Sequence, residues 1–121
     1  MRRLTALLVP LALAAAVLAG CGGNGGGGNG GANAAPVTGV TEVAAKDNQF
    51  TPPVIQVPAG TTVTWTFKDR FVPHDVTGDG WNSGEPQRSG TFTHTFDQPG
   101  TYPYRCIVHD GMTGRVIVSG T

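Results

Sequence analysis

A chain of 121 residues with 19 glycines and zero formal net charge has room for one folded domain, and its glycine-rich first third adds nothing to a core. Without Arg2 and Arg3, which belong to a leader, the balance is six basic to eight acidic residues, a formal charge of −2. The absence of a basic stripe or a cluster of exposed aromatics argues against nucleic acid as a partner.

Met1-Arg2-Arg3 and the apolar run from Leu4 to Ala19 read as the charged and hydrophobic parts of an export signal. The run is interrupted by Pro10 and falls short of the ~20 apolar residues needed to span a bilayer. It ends in Leu18-Ala19-Gly20-Cys21, which resembles a bacterial lipobox. Residues 1–20 are therefore expected to form a lipoprotein signal peptide, and Cys21 to carry lipid at the new N-terminus. That places the protein outside the cytoplasm, anchored to a membrane. Residues 21–36, almost wholly Gly, Asn and Ala beyond the cysteine, cannot bury enough apolar surface to offset the entropy of ordering. They read as a flexible tether with a reach of ~20 Å.

The folded domain is expected over residues 37–121. A domain of roughly 80 residues buries only ~60% of its unfolded surface, so a bound metal would help to hold it. Its sequence is a succession of short strand signals broken by Pro-Gly and Gly turns, with no helical period. Strands are predicted at Thr41 to Ala45 and at Val54 to Val57. Thr62 to Phe67 alternates so that Val63, Trp65 and Phe67 share one face and three threonines the other. Thr91 to Phe96 repeats the alternation, Thr101 to Cys106 follows the turn Gln98-Pro99-Gly100, and Gly114 to Val118 closes the chain. Gly78 to Gly90 is the least regular stretch and is expected to be a surface excursion. Some seven short strands in so few residues imply an all-β fold, a Greek-key sandwich of two sheets.

With Cys21 acylated, Cys106 has no disulfide partner, and an exported protein with an odd thiol needs a reason to keep it. Its neighbours supply one. Cys106-Ile107-Val108-His109-Asp110-Gly111-Met112 sets a thiolate, an imidazole and a thioether at even three-residue intervals, and His74 follows Pro73 upstream. Two histidines, one cysteine and a methionine suit a trigonal His₂Cys copper site with a weak axial Met that carries electrons. The expected metal ligands are thus His74, Cys106, His109 and Met112, with one copper per chain cycling between Cu(I) and Cu(II). His94 shares a strand face with Phe92 and Phe96 and is read as structural.

Tyr104 to Gly114, together with Pro73-His74, resembles the ligand loops of the cupredoxins, the family of blue copper proteins. The Cys-x₂-His-x₂-Met spacing is the short amicyanin-type loop. The likeness runs from Asp47-Asn48-Gln49-Phe50 to the last strand. It implies a Greek-key sandwich and a one-electron carrier with no reaction of its own, a monomer working between redox protein partners. One departure stands out. Many cupredoxins place an asparagine after the first ligand histidine to tie the two ligand loops together, and this chain has Asp75, a carboxylate that accepts hydrogen bonds but donates none unless protonated.

Other functions remain open from sequence. Copper delivery or storage outside the cytoplasm would use the same ligands. A fragment of a copper nitrite reductase or multicopper oxidase is disfavoured because the chain has no His-x-His pair, and a metal-free adhesive sandwich would require the ligand spacing to be chance.

Overall fold

In the computed structural model, residues 31–120 are described. The stretch read as an export signal and Cys21 lie outside them. The ten strands are β1 (Val37–Thr38), β2 (Glu42–Lys46), β3 (Gln49–Thr51), β4 (Val54–Pro58), β5 (Thr61–Lys68), β6 (Thr77–Gly78), β7 (Trp81–Asn82), β8 (Ser89–Phe96), β9 (Gly100–Arg105) and β10 (Thr113–Ser119). The helical content of the described residues is one 3-10 turn, Gly31–Asn33. That turn falls inside the stretch expected to be tether, and it docks on β10, where the Ala32 N–H donates to Thr113 Oγ1 at 3.3 Å.

The strands form two sheets, ordered β1-β4-β10-β9-β6-β7 and β3-β2-β5-β8. This is the all-β, two-sheet architecture that the alternating pattern predicts. The sheets mix directions. β10 runs parallel to β4 and antiparallel to β9, while β5 runs parallel to β2 and antiparallel to β8.

The core follows from alternation. Val63, Trp65 and Phe67 of β5 are at most 2% exposed and face Val116 and Val118 of β10 and Ile55 and Val57 of β4, all buried in one apolar cluster. Burying such side chains contributes ~1.5–3 kcal/mol each, so this cluster outweighs any surface ion pair in holding the sheets together. Trp65 sits at the centre, its ring 5.3 Å from Tyr104 in an edge-on arrangement and 5.7 Å from Phe92.

Two connections fix register by turn chemistry. Lys46 pairs with Gln49, leaving Asp47 and Asn48 as a two-residue loop with φ of 53° and 59°. Tight hairpins of this kind need positive φ at both central positions, which Asp and Asn tolerate better than most residues. Gly78 pairs with Trp81 across Asp79-Gly80, a second two-residue hairpin.

That second hairpin corrects the reading of Gly78 to Gly90 as a surface excursion. Trp81 is half-buried, lies over Gly78, stacks on the His94 ring at 4.7 Å and 11°, and meets Phe96 edge-on. It bridges β7 and β8, the outer strands of the two sheets. His94 accordingly belongs to an aromatic stack, in keeping with a structural role.

Candidate metal centre

Two segments converge at one end of the sandwich. His74 lies between β5 and β6, and its backbone is pinned by paired hydrogen bonds with Gln87, the His74 N–H to the Gln87 carbonyl at 2.9 Å and the Gln87 N–H to the His74 carbonyl at 2.8 Å. The other segment is the loop from β9 to β10. Cys106 follows β9 directly, and its N–H donates to the Met112 carbonyl at 2.9 Å, closing the loop at its base. The Met112 N–H reaches the His109 carbonyl at 3.3 Å, so the loop is braced from inside.

Within this frame one ligand atom each from His74, Cys106 and His109 lies within 4.8 Å of the others. Cys106 Sγ and His109 Nδ1 are 3.5 Å apart, and the two imidazole centroids are separated by 4.8 Å. His74 is fully buried, Cys106 3% exposed and Met112 1% exposed, whereas His109 is half-buried. The structure therefore brings three of the four expected ligands together and buries the fourth, Met112, at the foot of the same loop.

The state of His74 tests whether a metal fits. Its Nε2 lies 2.8 Å from Asp69 Oδ2, and its Nδ1 is buried with no partner among the described residues. This bond holds the Asp69 carboxyl well below the usual carboxylate range, with backbone N–H groups of Phe71, Val72 and Asp47 adding to the effect. An ionised carboxylate only accepts, so it pairs with an imidazole N–H, and in the neutral ring that pairing leaves the lone pair on Nδ1. A buried lone pair beside a cysteine sulfur and a second imidazole suits a soft or borderline transition metal.

Burial raises the Cys106 thiol above its ordinary value, while the backbone N–H groups of Asp75 and Val108 act in the opposite direction. A cation at this position would favour the thiolate and displace the proton.

Asp75 joins the two segments. It is 1% exposed, its Oδ1 accepts from the Ile107 N–H at 2.7 Å, and its Oδ2 accepts from Thr77 Oγ1 at 2.6 Å. A residue next to His74 is thus bonded to the residue next to Cys106. The carboxylate makes the tie because both of its partners are donors.

Sequence reading passed over Asp69. Its Oδ1 accepts from the N–H groups of Phe71 and Val72, each at 3.1 Å, and its Oδ2 accepts from His74 and, at 3.3 Å, from the Asp47 N–H. An aspartate that opens a turn just after a strand, five residues before a candidate ligand, is a signal that could have been noticed.

The ligand segments also carry exposed apolar side chains, Phe71 at 80%, Ile107 at 58% and Val108 at 45%.

No family model matches the chain. Over 87 residues it is 38% identical to amicyanin-alpha of Methylorubrum extorquens, covering 66% of this chain and 72% of that protein. Over 73 residues it is 34% identical to amicyanin of Paracoccus denitrificans, covering 54% of this chain and 55% of that protein. Among solved structures, a purple cupredoxin from Nitrosopumilus maritimus superposes with a TM-score of 0.58 at 31% identity, covering 66% of this chain and 100% of that one.

Proposed function

The chain belongs to the cupredoxin family, and from that premise we propose that it is a one-electron carrier whose copper is held by His74, Cys106 and His109 with Met112 as a weak axial ligand. The observation that carries the assignment is the approach of Cys106 Sγ to two imidazoles, one of which has a buried, unpartnered Nδ1. Copper bound there supplies a Cu(I)/Cu(II) couple. The protein's part is to hold the donors still. Three of them lie on one loop closed by backbone hydrogen bonds, and His74 is clamped by Gln87 behind and Asp69 at its far nitrogen. Ligands that barely move when the charge changes permit fast electron exchange. As an amicyanin-like cupredoxin the protein acts as an electron carrier and not as an enzyme.

The half-buried His109, on the same loop as exposed Ile107 and Val108, offers the route by which electrons enter and leave, and redox proteins are the proposed partners. The lipobox-like Leu18-Ala19-Gly20-Cys21 supports an extracytoplasmic protein anchored through lipid on Cys21. Mass spectrometry of the protein from its own host tests this, since an unacylated chain retaining residues 1–20 would refute it.

Titration of the protein with Cu(II), followed by visible and paramagnetic resonance spectra, tests the copper assignment. One equivalent should give an intense thiolate-to-copper band that vanishes on reduction and is absent in Cys106→Ser. A band that survives the substitution would remove Cys106 from the site.

A further inference from the structure

The four hydrogen bonds to Asp69 are arranged in a way that only a carboxylate can satisfy. Oδ1 receives two backbone N–H groups, Phe71 and Val72, and Oδ2 receives two more donors, the His74 ring and the Asp47 N–H. The side chain is 10% exposed, so water has little room to replace any of them. An amide has one acceptor end and one donor end. Whichever way an asparagine were turned at this position, its NH₂ would face two N–H groups.

We propose that Asp69 is the positioning residue that fixes His74 as a ligand before any metal arrives, by holding its hydrogen on Nε2 and leaving Nδ1 bare. The inference rests on the copper reading for its purpose, though not for its geometry. Three features join in it. The ring is fully buried and its Nδ1 has no partner among the described residues, so none of them but Asp69 selects the tautomer. The same carboxylate shapes the turn from Asp69 to Val72 that leads to the ligand. It also reaches Asp47 in the β2–β3 turn, where the backbone is held at positive φ, so the position of the ring is referred to a hairpin outside both ligand segments. Hydrogen bonds of this kind to the far nitrogen of a metal-bound histidine set its orientation and basicity, and their loss commonly costs 10–100-fold in metal affinity.

The sharp variant is Asp69→Asn, which keeps size and shape and alters only the donor pattern. In this variant His74 can relieve the clash at Nε2 by moving its hydrogen to Nδ1, the atom needed by the metal.

Long-range proton–nitrogen correlation spectra of the ¹⁵N-labelled, metal-free protein report which ring nitrogen of each histidine is protonated. The native protein should show His74 with its hydrogen on Nε2. Asp69→Asn should show the hydrogen on Nδ1 and bind Cu(II) on the order of 10–100-fold more weakly, with the backbone amide spectrum otherwise retained. A native protein with the hydrogen on Nδ1 overturns the proposal whether or not the variant folds. So does a variant that keeps the Nε2 form with unchanged copper affinity. The tautomer decides this proposal and the copper spectrum decides the reading beneath it, so the two can fail separately.

Discussion

At the scale of single residues, Asp75 is a buried carboxyl group one residue from a proposed ligand, its oxygens accepting from Ile107 and Thr77. An ionised carboxylate there favours Cu(II) over Cu(I). At a separation of ~8 Å and an effective dielectric of ~20, Coulomb's law gives ~2 kcal/mol, an upper figure because solvent and counterions screen a site near a loop surface. For one electron ~59 mV corresponds to ~1.4 kcal/mol, which bounds the effect at ~90 mV. Asp75→Asn should therefore raise the reduction potential by some tens of millivolts. The visible spectrum should persist, because the amide oxygen still accepts from Ile107 and the Thr77 hydroxyl can turn to accept from the amide nitrogen. Cyclic voltammetry of both proteins at neutral pH checks this, and an unchanged potential would mean that Asp75 acts only through its hydrogen bonds. The residues proposed to hold the metal were legible because Cys106, His109 and Met112 form one contiguous pattern of unusual side chains. Asp69 was not, since most of its bonds go to backbone N–H groups, which any residue carries and no sequence displays.

At the scale of elements, the long alternating strands β5 and β8 could be read directly, because several repeats of period two leave little doubt about which face is buried. A strand of two residues has no period. β6 and β7 were missed for that reason, although Asp79-Gly80 between them is a recognised hairpin signal. The error hid a packing constraint. A Cβ on Gly78 would lie 2.1 Å from the Trp81 ring, so the ring rests where any side chain would have to go. Gly78→Ala should force Trp81 off its stack with His94 and destabilise the fold by ~1–3 kcal/mol, the usual cost of overpacking. Chemical denaturation would register this as a lower midpoint at unchanged slope. A midpoint equal to the native one would show that Trp81 contributes little where it lies.

At the scale of the whole molecule, the two-sheet architecture was legible from turn spacing, while the strand order was not, because pairing partners are chosen by contacts far apart in sequence. β4 and β10 lie side by side although some sixty residues separate them, with Val116 opposite Ile55. The metal loop spans the gap between the last two strands, so occupancy of the site should be felt by the entire fold. A ligand bound only by the native state stabilises it by RT ln(1 + [L]/Kd), ~4 kcal/mol at a thousandfold excess over Kd. Stripping the copper should lower the thermal midpoint by several degrees, and differential scanning calorimetry of the loaded and stripped forms would measure it. Equal midpoints would show that copper does not bind the native state in preference to the unfolded chain.

The position of β10 has a further consequence for how the protein comes into being. The strand that follows the ligand loop occupies an interior place between β4 and β9, and its partner β4 lies some sixty residues earlier. The larger sheet therefore stays open until β10 has joined it, and contacts of such long range form slowly. Until then Cys106, which directly follows β9, lacks the cover that leaves it 3% exposed in the folded chain. Folding thus encloses the sulfur only at the step that also completes the sheet.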